Sequence, residues 1–449
     1  LHFLSVPPLY TNNKSTYFSV YFVKEMEKLG FEETDIIHGG YKVVTTLDSK
    51  AQEAANESIL KNMRAWGLTK PSQQAAVFSF SPIDGRILVF AGGKNYGETQ
   101  YDRVTQSVRA PGSAFKPIVY AAAMEKGITP NDIVDDSPIT IGNWSPHNSS
   151  HRYRGKIPVY KALMISSNVC AARMIQEVGI RSVIQLARVL GISTPLEYDY
   201  TISLGSNGVK MFEFVRAYGA FANGGYIVQP YAIERIEDSR GRVLYRAPKT
   251  KSSHQLSLKT AAEMTAMLKT VILSGTGTAA NIGKPAAGKT GTTDDNKDAY
   301  FVGYTPDIVT GVWVGDDNNK KISGLYGGTI PARIWKDIMT VATRDYGAKD
   351  FDYPVIELSN YSASFTKAKV IGDDENPKNE GKAVENTEGS KNVEAPATPE
   401  IPQKTLNAAK EASSDVTKQS KPQAAPVPQA KSSGTKTAPI PMAVPESLR

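Results

Sequence analysis

After Phe365 the chain contains no Phe, Trp or Tyr, and this break decides where a folded core can lie. The 84 residues beyond it hold 10 prolines, with Lys, Glu, Ala and Ser prominent, and their charges nearly cancel: 12 Lys or Arg against 11 Asp or Glu. Such a stretch buries too little apolar surface to offset the entropy of ordering it. Residues 357–449 are therefore expected as a low-complexity, disordered tail, and the core must come from what precedes them. The formal net charge of +7 then sits almost wholly on residues 1–365. A basic surface suits nucleic acid, anionic lipid or an anionic polymer such as cell wall. No helix-turn-helix, finger or aromatic-and-glycine RNA signature is present, so no nucleic-acid partner is expected.

No stretch approaches the roughly 20 continuous apolar residues of a membrane span, and the chain begins at Leu1 rather than Met. It reads as a fragment or a processed product. The single cysteine, Cys170, excludes a disulfide framework and any multi-thiolate metal site; a small residue packed on a helix is its expected role. His147 and His151 are four apart, but Pro146 and an Asn-Ser-Ser run place them in a loop. No metal and no cofactor are expected.

Residues 1–74 read as a connecting region. Within it, 17–29 have helical spacing, 40–46 a strand pattern, and 48–66 the pattern of a helix capped by Asp48. The segments 75–80 and 86–91 flank Ser-Pro-Ile-Asp-Gly, where Pro fixes φ and Gly tolerates positive φ, so a hairpin is expected. A second hairpin is expected where 299–304 and 308–315 flank Thr-Pro-Asp, and the stretch 113–221 between them is mostly helical in pattern. Strands at both ends with helices between predict one mixed α/β domain, of the α+β kind, over 75–356.

Three motifs carry chemistry. Serine is a poor nucleophile without a base, and Ser113-Ala-Phe-Lys116 offers one a helical turn away. The Pro-Gly pair before Ser113 and the apolar run after Pro117 predict that Ser113 opens a helix, where its own N–H can meet a developing oxyanion. Lys116 must be neutral to act, a state that burial or a neighbouring cation favours. The pattern alone is weak, since it recurs at Ser58–Lys61, Ser364–Lys367 and Ser433–Lys436.

In Ser166-Ser167-Asn168, the Ser166 hydroxyl can relay a proton and the Asn168 amide can hold a substrate amide; the plainer alternative is a polar N-cap for a helix over 169–178. In Gly288-Lys289-Thr290-Gly291-Thr292-Thr293, Lys289 and the two threonine hydroxyls suit a carboxylate, and the Thr292 N–H can complete an oxyanion hole with that of Ser113. The stretch 283–290 also fits the spacing of a phosphate-binding loop. No hydrophobic strand precedes Gly283, however, and Gly291 with two threonines opposes the helix such a loop requires.

Ser-x-x-Lys, Ser-x-Asn and Lys-Thr-Gly in this order are the set of penicillin-binding proteins and class A β-lactamases. The flanks narrow this: Arg-Ala-Pro-Gly before Ser113, Trp144-Ser-Pro-His-Asn148, Phe221-Ala-Asn-Gly-Gly-Tyr226, and Asp298-Ala-Tyr-Phe-Val-Gly-Tyr-Thr-Pro-Asp307. From about Ala75 to about Met339 the chain resembles the transpeptidase domain of a class A, bifunctional penicillin-binding protein. Residues 14–70 resemble the linker that joins that domain to its glycosyltransferase domain, which on the fragment reading is expected in a missing part of the protein.

The resemblance implies a five-stranded antiparallel sheet covered by helices. Ser113 would form the acyl-enzyme, Lys116 take its proton, Ser166 relay it, and Asn168 and Lys289 bind substrate, with Thr290, Gly291, Thr292 and Trp144 lining the groove. It implies an extracytoplasmic enzyme cross-linking peptidoglycan stem peptides that end in D-Ala-D-Ala, acylated by β-lactam antibiotics, with a membrane anchor in the full-length protein and partners in cell-wall synthesis. A D,D-carboxypeptidase, a serine β-lactamase and a non-catalytic β-lactam sensor or scaffold share the acylation residues and remain open at this point.

Overall fold

The computed structural model describes residues 16–249, 252–359 and 370–371. Both expected hairpins form, and they join into one antiparallel sheet. Its spatial order is Ala287–Thr292, Asp298–Tyr304, Val309–Asp316, Gln73–Phe80, Ile87–Ala91. The strand Val309–Asp316, from the C-terminal half, therefore pairs with the first strand of the domain, so the sheet closes only once residue 316 is in place.

Strand side chains alternate between faces, and here both faces are buried. Ala76, Phe78, Phe80, Tyr300, Val302, Tyr304 and Trp313 enter one hydrophobic core; Ala75, Val77, Ala299, Phe301, Val312 and Val314 enter another. The helices Lys116–Glu125, Met211–Ala222 and Leu258–Ser274 cover the first face. Ser49–Ala65 and Ile330–Ala342 cover the second. Near-continuous apolar strands are what a sheet covered on both sides requires.

The region expected as a connector is part of this body. The helix Ser49–Ala65 starts where Asp48 accepts from the Lys50 and Ala51 N–H groups, and it buries Ala51, Ala55, Ile59 and Met63 beneath the sheet. The helix Thr16–Lys28 places Phe18 and Met26 in the other core, and Tyr21 stacks on Phe90 with ring centroids 4.8 Å apart. Lys42–Thr45 pairs with Ile233–Glu237 in a small outlying sheet.

Two expectations need correction. Ser113 does not open an α-helix directly: a 3-10 turn spans Gly112–Phe115 and the α-helix starts at Lys116. At three residues per turn, positions 113 and 116 lie one above the other, so the expected shared face survives. Second, the stretch expected as tail from residue 357 contains structure. Ser359 is hydrogen-bonded to Asn131, and Val370–Ile371 pairs in parallel with Ile133 and Val134, Ile371 being buried. Two adjacent β-branched residues supply a short strand, a signal diluted when composition is averaged over the whole stretch. Residues 360–369 and 372–449 of the expected tail lie outside the described residues. Among the described residues no helix is long and apolar enough to cross a membrane.

If 16–66 belong to the same cooperative unit as the sheet, Ile59→Ala costs the whole body ~2–5 kcal/mol, as truncation of a buried Ile does. Chemical denaturation followed by tryptophan fluorescence and by circular dichroism should show one shared, shifted transition. Exposed Lys61→Ala should move it by less than ~0.5 kcal/mol.

Candidate active site

The three motifs converge at the open edge of the sheet. Thr293 and Asp298 face each other, and the Thr293 N–H donates to the Asp298 carbonyl at 3.0 Å. Backbone groups alternate along an antiparallel pair, so the Thr292 peptide points the other way, out of the sheet. The turn carrying Ser113 packs against it. A Cβ on Gly112 would sit 2.4 Å from the Thr292 carbonyl oxygen, and one on Gly291 would sit 2.2 Å from that of Pro111. Gly112 also has φ +55°, so both backbones depend on the missing side chain. The Gly112 N–H donates to the Gly205 carbonyl, and the Tyr218 hydroxyl to that of Ala114, which fixes the turn from behind. Upstream, the Arg109 guanidinium lies 3.6 Å from the Asp298 carboxylate and over the Trp313 ring. Half-buried Ser113 makes no side-chain hydrogen bond among the described residues.

Lys116 and Lys289 are both fully buried. The Lys116 ammonium donates to the Asn168 Oδ1 at 2.6 Å and the Ser166 carbonyl at 2.7 Å, with the Ser166 Oγ at 3.4 Å. The Lys289 ammonium donates to the same Ser166 Oγ at 2.8 Å. One hydroxyl thus bridges two lysines. Burial, and then the Lys289 charge, push Lys116 well below the usual lysine range; burial brings Lys289 down to about 7. These are the conditions that leave an amine free to accept a proton near neutral pH.

Ser166 reaches this position through an unusual backbone: φ is +62°, in the left-handed region. The capping alternative applies to its neighbour, since the Ser167 Oγ accepts from the Cys170 N–H and caps the helix Asn168–Val178. Lys289 and Thr290 lie in the strand Ala287–Thr292, which rules against the phosphate-loop spacing. The Asn168 amide is committed within the protein: its Oδ1 holds Lys116 and its Nδ2 donates to the His147 carbonyl at 2.8 Å. Its observed part is therefore to hold Lys116. Thr290 and Thr276 share a hydroxyl–hydroxyl bond of 2.6 Å, and the Thr292 Oγ1 accepts the Gly327 N–H, leaving its own proton for a ligand. Trp144 is half-buried in the loop that runs to Asn148.

Sequence reasoning missed Asp136. Its buried carboxylate accepts from the Ser167 Oγ at 2.6 Å, the Asn148 Nδ2 at 2.8 Å and the Arg154 N–H at 3.0 Å. The Asn148 Oδ1 in turn accepts the Asn168 N–H at 2.8 Å. This network holds the Ser166 turn, and no local motif announces it. The only cue is an acidic pair, Asp135-Asp136, directly after an apolar strand pattern.

Residues 75–340 match the penicillin binding protein transpeptidase domain. Among curated proteins, penicillin-binding protein 1A of Neisseria lactamica is 32% identical over 342 residues, covering 73% of this chain and 43% of that protein. Penicillin-binding protein 1A of Pseudomonas aeruginosa is 34% identical over 334 residues, covering 61% and 41%. The chain thus spans less than half the length of these relatives. Among solved structures, PonA1 of Mycobacterium tuberculosis in complex with penicillin V gives a TM-score of 0.66 at 27% identity, covering 74% of this chain and 93% of that one. Penicillin-binding protein 1A of Haemophilus influenzae has the same fold, with a TM-score of 0.69 at 24% identity over 78% of this chain and 72% of that one.

Ser166→Ala and Ser166→Gly both delete the bridging hydroxyl, but only glycine adopts the left-handed backbone freely. The glycine variant should be the more stable by about 1 kcal/mol in denaturant titrations. Equal stabilities would show that the backbone is unstrained.

Proposed function

We propose that this chain, which belongs to the penicillin-binding protein transpeptidase family, is a serine D,D-transpeptidase that cross-links peptidoglycan stem peptides and is inhibited covalently by β-lactams. The observation that carries this reading is the Ser166 hydroxyl shared between two buried lysines beside Ser113.

In acylation, neutral Lys116 removes the Ser113 hydroxyl proton as Oγ attacks the carbonyl of the penultimate D-Ala. Lys116 lies one 3-10 turn from Ser113, and a catalytic contact can tighten only when substrate binds. The negative oxygen of the tetrahedral intermediate meets the Ser113 and Thr292 N–H groups; one such donor is worth roughly 10²–10³ in rate. The proton on Lys116 passes through the Ser166 Oγ to the nitrogen of the terminal D-Ala. The C–N bond breaks, D-Ala leaves as a neutral amine, and an ester remains on Ser113. An amine of a second stem then attacks the ester, its proton returns along the same path, and Ser113 is restored. In a β-lactam the ring C–N bond breaks likewise, but the nitrogen stays tethered and blocks the acceptor.

Protonated Lys289, with the Thr290 and Thr292 hydroxyls, would receive the terminal carboxylate, Gly291 leaves room for the substrate backbone, and Trp144 flanks the groove. Asn168 serves chiefly to hold Lys116. No cofactor or metal takes part in this scheme.

In the domain organisation we propose, 75–356 form the transpeptidase, the preceding residues lead into it from a glycosyltransferase domain of a longer protein, with Thr16–Lys28 and Ser49–Ala65 packing on the same body, and a low-complexity tail follows the strand Val370–Ile371. That longer protein would be membrane-anchored, would work outside the cytoplasm with other cell-wall synthesis proteins, and would find its substrate in the wall polymer, to which a net charge of +7 is suited.

Two experiments test this. A D-Ala-D-Ala pentapeptide offered with a D-amino acid should give the exchanged product as well as released D-Ala. Hydrolysis alone would make the chain a carboxypeptidase, and neither product would leave it a sensor. The rate of acylation by benzylpenicillin at limiting drug should fall above about pH 7 as Lys289 loses its proton. Lys289→Arg, which stays charged, should abolish the falling limb. A fall delayed to the ordinary lysine range, about pH 10.4, would contradict Lys289 as the carboxylate's partner.

A further inference from the structure

We propose that the C-terminal segments 350–359 and 370–371, beyond the residues that match the transpeptidase domain, form a brace that positions the Ser166 turn for catalysis; this rests on the function proposed above.

The course of the chain after the helix Ile330–Ala342 carries the inference. Asp350 pairs with Lys269 at 2.7 Å, and Phe351 packs edge-on against Tyr304. The Tyr353 hydroxyl donates to the Phe221 carbonyl at 2.7 Å and accepts from the Gly224 N–H at 2.8 Å. These contacts bind the segment across the helices Met211–Ala222 and Leu258–Ser274. It then reaches Asn131, whose Nδ2 donates to the Glu357 carbonyl at 2.8 Å while its Oδ1 accepts the Ser359 N–H at 2.9 Å. Tyr160 donates its hydroxyl to the Ser359 carbonyl. Finally Val370–Ile371 pairs with Ile133 and Val134, with Ile371 only 1% exposed.

Every point of arrival lies on a path into the site. Asn131 precedes the strand Ile133–Asp135, and the next residue is Asp136, whose carboxylate holds Ser167 and Asn148. Tyr160 belongs to the helix Val159–Met164, which runs directly into Ser166. The outer strand of this three-stranded sheet therefore comes from the C-terminal chain, while its other two, Ile133–Asp135 and Lys156–Pro158, lead to the turn that bridges the lysines. Pairing on the exposed edge of Ile133–Asp135 limits how far Asp136 can move. With it is limited the left-handed Ser166 backbone, which surrounding structure must impose.

The test uses the full chain labelled with fluorescent penicillin, resolving drug binding from the acylation step. Ile371→Asp places a charge in the core cluster and should slow the acylation step about tenfold, the scale of a small displacement of catalytic groups, with drug binding little changed. Ile371→Val should restore it. Ile59→Ala, on the far face of the sheet, controls for lost stability and should keep the wild-type acylation step. Amide exchange at Asp136, whose N–H is bonded to the Gly155 carbonyl, reads the brace whether or not the serine is acylated. It should accelerate in Ile371→Asp and not in Ile59→Ala. Wild-type acylation and exchange in Ile371→Asp, or equal effects in Ile59→Ala, would overturn the brace. A wild-type chain that takes no label would instead refute the transpeptidase reading, and exchange would still decide the brace.

Discussion

Two lysine side chains buried around one serine hydroxyl are the interaction on which the rest of this structure depends. A lone buried ammonium is costly, and it either finds hydrogen-bond acceptors or gives up its proton. Lys116 and Lys289 do both: each is held by neutral oxygens of Ser166, Asn168 or Thr290, and each is pushed toward the neutral form. No carboxylate forms an ion pair with either among the described residues. A salt bridge to Lys116 would favour its charged form and oppose its accepting a proton.

That arrangement needs three segments distant in sequence to meet at fixed spacing, and the sheet supplies the frame. Its open edge exposes the Thr292 peptide, and the absence of side chains at Gly112 and Gly291 lets the Ser113 turn lie against it. The third segment, around Ser166, cannot be held by the sheet because it lies on the helical side. Buried Asp136 holds it instead, through Ser167 and Asn148, and these contacts offset a backbone conformation that Ser would otherwise avoid. Arg109, between Asp298 and the Trp313 ring, ties the approach to Ser113 to the strand beside Thr292.

Local signals make much of this legible in the sequence. The two hairpins show in Ser-Pro-Ile-Asp-Gly and Thr-Pro-Asp between apolar runs, and Asp48 marks its helix because an N-cap is a local device. The serine and lysine motifs were readable because chemistry fixes their residue types and short spacings. What stayed hidden depends on distant contacts. Nothing near Asp136 says that Ser167 and Asn148 will reach it. Nothing in Asn168 says that its amide will be spent on Lys116 rather than on substrate. The helices at 16–28 and 49–65 were visible as helices, but their place in the two cores follows from tertiary packing. Val370-Ile371 was lost in the average of a polar stretch.

The most direct measurement is the intact mass of the protein after brief exposure to benzylpenicillin, followed over hours and compared with Ser113→Ala. One added penicilloyl group is expected in the wild type, decaying slowly, and none in Ser113→Ala. An adduct that persists without the Ser113 hydroxyl, or no adduct on a demonstrably folded wild type, would contradict the central claim.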